Sequence, residues 1–134
     1  MNVPEAELFQ LLQSYKKICV YGLGTDQTKP NFTVPLYLRS KGWDIVGVHP
    51  KAHNEGGFKT YKTLKEVPAE YRKFVDVFRA SDKIPQVVDE VLEAGGVEVL
   101  WLQLGVFNVA TEKKAEDAGL KVVSDRCPVI ELNK

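Results

Sequence analysis

The chain has 134 residues, room for one domain with a real core and too few for two ordinary ones. Hydrophobic residues make up 44% and charged residues 27%, values that exclude wholesale disorder. The 18 basic and 18 acidic residues cancel to a formal net charge of zero, so the balance points neither to nucleic acid nor to an anionic membrane surface.

Leu8, Leu11, Leu12 and Tyr15 recur at helical spacing and predict an amphipathic helix over residues 5–15. Residues 16–21 read as a buried strand, followed by a loop over 22–30. Asn31 or Thr33 is expected to cap the next helix, which runs to about Lys41 with Pro35 in its first turn. Gly42 supplies a left-handed stop. Residues 43–48 form the second strand, and 52–62, with Gly56-Gly57, read as a loop. Thr63 and Glu66 have capping-box spacing for a short helical turn. Residues 74–78 are the third strand, and Ser81 is expected to cap a helix carrying Ile84, Val87, Val88, Val91 and Leu92 up to Gly95-Gly96. Residues 97–102 are the fourth strand, 108–118 a helix closed by Gly119, and 120–123 the fifth strand.

Strands and helices alternate throughout, which predicts one α/β domain over residues 1–134, a parallel sheet with helices on both faces. The expected strand order is 3-2-1-4-5, with a ligand crevice at the carboxyl ends near the switch between strands 1 and 4. No apolar run reaches the roughly 18 residues of a membrane helix. The acidic N-terminus lacks a signal-peptide core. Cys19 and Cys127 are too few for a disulfide framework and lack metal-ligand spacing. A cytoplasmic protein with reduced thiols is the expectation.

In such a fold the chemistry lies just after each strand. Tyr21-Gly22-Leu23-Gly24-Thr25-Asp26-Gln27 stands where a first phosphate loop belongs, since glycines let the backbone approach a phosphate at a helix N-terminus. A dinucleotide fingerprint would want a third glycine where Gln27 stands. After the second strand come His49, Pro50 and Lys51 rather than the acidic residue that binds the ribose of NAD. A cation there favours an adenosine with a ribose phosphate, as in NADP or coenzyme A. Lys29, Lys51, Arg79 and Arg126 are expected to give the crevice positive potential. Phe78 either covers an adenine face or packs the rim. Cys127, beside Arg126, is either a thiolate-prone residue or a small packing residue; Cys19 belongs to the core. His49 and His53 lie in a Pro/Gly-flanked loop, which argues against a metal site, and no catalytic constellation stands out.

Five segments together resemble a known family: Gly22-Leu23-Gly24-Thr25, Val48-His49-Pro50-Lys51, Asp76-Val77-Phe78-Arg79, Trp101-Leu102-Gln103-Leu104-Gly105-Val106 and Asp125-Arg126-Cys127-Pro128. They are similar to the small bacterial and archaeal CoA-binding proteins, stand-alone relatives of the CoA-binding domain of the succinyl-CoA synthetase α subunit. The resemblance spans residues 14–132 and implies a Rossmann-like three-layer sandwich holding the 3′-phospho-ADP half of CoA or an acyl-CoA. It implies that Gly22, Gly24 and Thr25 approach the phosphates, with Lys29, Asn31 and Phe32 nearby. Pro50 and Lys51 would sit near the ribose phosphate, with His49 beside them among the cofactor-binding residues. Phe78, Arg79 and Ile84 would border the adenine or pyrophosphate. Gln103, Leu104, Gly105 and Val106 would flank the pantetheine arm. The synthetase's phosphohistidine domain has no counterpart here, so ligase activity is not carried over. Leu23-Gly24 replaces the usual small residue and serine. An NADP-dependent oxidoreductase and a CoA-site subunit serving an unidentified protein partner are the rival expectations.

Overall fold

The computed structural model describes residues 1–134. Its strands are β1 (Lys17–Tyr21), β2 (Asp44–Val48), β3 (Lys59–Tyr61), β4 (Phe74–Val77), β5 (Val99–Leu102) and β6 (Lys121–Val123). The α-helices are α1 (Leu8–Ser14), α2 (Pro30–Ser40), α3 (Ala69–Arg72), α4 (Ile84–Ala94), α5 (Val109–Asp117) and α6 (Pro128–Leu132). All strand pairs are parallel, and the sheet runs β3-β2-β1-β4-β5-β6.

The α/β, Rossmann-like class is the expected one, with six strands instead of five. The sixth is β3, which lies in the stretch read as a loop. It takes the edge beside β2, where the expected order had residues 74–78. Those residues instead pair with β1, Val20 facing Asp76, and β5 lies beyond them, Asp76 facing Trp101. The chain thus steps outward from β1 through β2 to β3, then returns to β1's other side. The order of strand addition reverses between β1 and β4 while every strand stays parallel, and a crevice opens at such a point.

Period-two alternation divides the core. Ile18, Val20, Phe74, Val99, Trp101 and Val123 face a layer formed by α1, α2 and α6. Cys19, Val75, Val77, Leu100, Leu102 and Val122 face α4, α5 and the Leu64–Val67 turn. Burial on both faces gives three layers and explains why these strands read as continuous apolar runs.

Local signals acted as expected at several ends. Gly42 is left-handed at φ 105°, and Thr63 and Glu66 form the capping box. The structure adds a cap that the sequence reading did not name: the Asn108 side chain accepts from Thr111 N at the start of α5. Two helix starts differ. The N-cap of α2 is Lys29, with Pro30 at the first position, so Pro35 sits inside the helix and not in its first turn. Proline there has no N–H for the Asn31 carbonyl. That carbonyl accepts instead from Gly24 N, at 3.1 Å. Ser81 opens a short 3₁₀ turn, and Lys83 is the N-cap of α4. The Ser81 hydroxyl accepts from Phe107 N at 3.2 Å and so ties the loop after β4 to the loop after β5.

Candidate functional site

A cleft of about 980 Å³ opens at the carboxyl ends of β1, β4 and β5. One wall is the first half of α2, through Lys29, Pro30, Asn31, Thr33, Val34 and Tyr37. Phe78, Arg79 and Ala80 after β4 and Gln103, Leu104 and Val106 after β5 form the floor and far side. Cys127, Val129 and Ile130 close it from the start of α6. Its volume lies near the top of the usual range for small-molecule pockets, and most of its wall is apolar.

The glycine loop beside this cleft is held from every side. Gly22 has φ 91°, and a Cβ there would meet the Phe78 carbonyl oxygen at 2.5 Å. Gly22 N donates to the Val48 carbonyl at 2.8 Å, and Asn31 Nδ2 donates to the Gly22 carbonyl at 3.1 Å. Gly24 leaves room for the Asn31 amide, since a Cβ would lie 2.5 Å from Nδ2. Leu23, the departure from the family pattern, is fully buried and rests where Gly47 of β2 has no side chain. A hydrophobic plug therefore anchors a loop whose sequence suggested only phosphate contact.

His53 pins the same loop from the β2 side. Its Nδ1 accepts from Glu55 N at 3.1 Å, so Nε2 carries the hydrogen and donates to the Leu23 carbonyl at 2.8 Å. The His49 ring packs edge-on against it with centroids 4.9 Å apart, and His49 Nδ1 accepts from Lys51 N at 3.1 Å. Burial first, then repulsion from His53 whenever that ring is protonated and from the Lys51 charge, push the His49 pKa below its ordinary value.

Of the residues anticipated from sequence, the cleft wall brings together Lys29, Asn31, Phe78, Arg79 and Gln103. Gly22, Gly24 and Thr25 form the adjoining loop. His49, Pro50 and Lys51 follow β2 and are joined to that loop through His53; they do not line the cleft. Gly105 sits between the lining residues Leu104 and Val106, its N–H donating to Asp125 Oδ1 at 2.7 Å. Phe32 and Ile84 are core residues: Phe32 packs edge-on against Phe58, and Ile84 is fully buried beneath the other face.

The cationic cluster is smaller than expected. Lys29 and Arg79 line the cleft, exposed and without an acidic partner. Arg126 is drawn off: its guanidinium lies 3.6 Å from Glu5 and donates to the Ser124 and Asp125 carbonyls. Lys51 stands outside the wall.

Two acceptors in this wall are unmet. Asn31 Oδ1 and Gln103 Oε1 are buried with no hydrogen-bond partner. Gln103 is only 5% exposed, so its amide oxygen is costly to leave alone. At the α2 N-terminus the Asn31 N–H also has no backbone partner, and the helix dipole adds positive potential there. The arrangement suits a ligand that combines anionic, amide and apolar groups.

Tyr37, Val129 and Ile130 were missed by sequence reading. They lie on helix faces turned to the cleft and not in the loops after strands. Cys127 was legible as a residue of interest, and it faces this cleft while Cys19 lies in the core on the opposite face of the sheet.

The sequence pattern of a CoA binding domain matches residues 16–133. The chain belongs to this CoA-binding domain family. It is 31% identical to the uncharacterized protein YneT of Bacillus subtilis (strain 168) over 126 residues, covering 94% of this chain and 92% of YneT. Among solved structures, cell-free ID.343 from Thermus thermophilus superposes with a TM-score of 0.85 at 31% identity, covering 98% of each chain. An apo dinucleotide-forming acetyl-coenzyme A synthetase 1 from Ca. Korarchaeum cryptofilum has the same fold in part of its length. The TM-score is 0.65 at 22% identity, over 84% of this chain and 27% of that one. The family's small members thus share the architecture that the larger synthetase carries as one portion. No helix here is long and apolar enough to cross a membrane.

Proposed function

We propose that this single-domain protein is a cytoplasmic CoA or acyl-CoA binder that grips the 3′-phospho-ADP moiety and lodges the pantetheine arm in the cleft, with no catalytic residue of its own. The observation that carries the reading is the pairing of two free cations, Lys29 and Arg79, with two orphan amide oxygens, Asn31 Oδ1 and Gln103 Oε1, in one largely apolar cleft. Pantetheine is an apolar arm with two amide N–H donors, and pyrophosphate is a ligand for cations and a helix N-terminus. Gly22, Gly24 and Thr25 would face the pyrophosphate, and His49, Pro50 and Lys51 the ribose phosphate. Phe32 and Ile84 would act through the packing beneath.

Calorimetry with CoA, 3′-dephospho-CoA and NADPH tests this. CoA is expected to bind tightest. Arg79→Ala or Lys29→Ala should each weaken it by about 1–3 kcal/mol, the range of a lost charge-assisted hydrogen bond. Tight NADPH binding without CoA binding would replace this reading with the oxidoreductase one.

Position 49 offers a second check. A phosphate dianion beside the ring favours its protonated form. CoA should therefore raise the His49 pKa from its depressed value, and 3′-dephospho-CoA should raise it less, as followed by histidine ring NMR. Affinity for CoA should then increase as pH falls from neutrality toward the ordinary histidine value of about 6.5, because binding takes up a proton. Identical His49 titrations with the two ligands would remove His49 and Lys51 from the 3′-phosphate site.

A further inference from the structure

We propose that Cys127 forms a mixed disulfide with the terminal thiol of a bound pantetheine ligand, making the cleft a site of reversible covalent capture. The inference rests on the proposed CoA reading and goes beyond reversible binding.

Cys127 lines the cleft with Val129 and Ile130 on its own segment and with Gln103 and Leu104 after β5, to which Arg126 N is bonded through the Leu102 carbonyl. It is 8% exposed, so its sulfur is sheltered from bulk oxidants while facing the space a ligand would fill. The residue is firmly seated. Trp101 Nε1 donates to the Arg126 carbonyl at 2.8 Å, and Glu131 N donates to the Cys127 carbonyl at 3.1 Å. Gln103 is a second, independent pointer to a ligand at the same place, a 5% exposed side chain in that wall whose amide oxygen lacks a partner. A ligand that hydrogen-bonds Gln103 through an amide N–H brings its flexible thiol-bearing end near this wall. The other cysteine supplies a built-in control. Cys19 is fully buried on the sheet's other face, and burial there pushes its thiol pKa upward, away from the reactive thiolate.

The co-reactant is a disulfide of the ligand itself, such as the symmetric disulfide of CoA. The Cys127 thiolate, its proton released to solvent, attacks one sulfur of that disulfide. The Cys127–sulfur bond forms, the ligand's S–S bond breaks, and one CoA leaves as thiolate and takes up a proton. One disulfide and one thiol enter, and one disulfide and one thiol leave. A small thiol reverses the exchange.

The test is intact mass spectrometry of the reduced full-length chain mixed with CoA disulfide or glutathione disulfide, without reductant. One CoA adduct is expected, removed by dithiothreitol and mapped to the Cys127 peptide of the unmutated protein. It should form at least tenfold faster than the glutathione adduct, survive in Cys19→Ser and be absent from Cys127→Ser and Cys127→Ala. A chain that binds CoA by calorimetry yet forms no adduct, reacts equally fast with both disulfides, or is modified at Cys19 overturns the proposal and leaves the binding reading standing. A chain that binds no CoA overturns both.

Discussion

Replacing Gly22 with alanine should cost this protein about 2–5 kcal/mol of stability, the largest loss expected from adding a single methyl group to this fold. Two effects combine. A residue with a Cβ is strained at φ 91° by about 1–2 kcal/mol. The added carbon also meets the Phe78 carbonyl oxygen at 2.5 Å, a backbone atom that moves only if the ends of β1 and β4 part. Overpacking of that kind costs about 1–3 kcal/mol. Gly42→Ala separates the two, because Gly42 has φ 105° and nothing within 4 Å of an added Cβ. It should lose only the conformational part, about 1–2 kcal/mol. Urea unfolding with an unchanged slope is the measurement, and equal losses at the two positions would refute the close approach of Phe78.

Asp76→Asn is expected to stabilise the protein at neutral pH, by about 1.4 kcal/mol for each pH unit between the unfolded and the folded carboxyl pKa, because asparagine has no proton that folding must retain. Asp76 is fully buried between Val20 and Trp101 in the sheet, and neither carboxyl oxygen has a hydrogen-bond partner. Burial alone raises its pKa well above the ordinary carboxylate value. The folded chain therefore retains the proton while the unfolded chain releases it above about pH 4. Stability falls as pH rises from there toward the folded pKa. The gain from asparagine should be small near pH 4 and grow toward pH 8. A gain that does not change with pH would show that the carboxyl is not held neutral. Asp76 lies one alternation below Phe78, so the layer beneath the cleft floor carries this cost.

The fold class was readable because most strands are buried on both faces and helices intervene with clear stops. β3 was not, since Lys59-Thr60-Tyr61 is short, polar at its start and at the sheet edge, where a single neighbour suffices. Missing it displaced residues 74–78 in the expected order, because alternation says which segments are strands and nothing about who neighbours whom. Lys29, Phe78, Arg79 and Gln103 were readable because they follow strands or open a helix. Tyr37, Val129 and Ile130 were not, because facing a cleft across a helix is a tertiary property. Phe32 and Ile84, taken up through the family likeness, carry the apolar spacing of their helices, and packing claims their side chains.

The proline inside α2 redirects one helix carbonyl to Gly24, and with it the chain holds its glycine loop through Asn31, Leu23, His53 and Val48 before any ligand arrives. Such a loop has already lost its conformational entropy on folding. Association then requires no ordering of the backbone at this end of the site, so encounter is limited by diffusion and orientation. Differences among related ligands should be written in how long each stays.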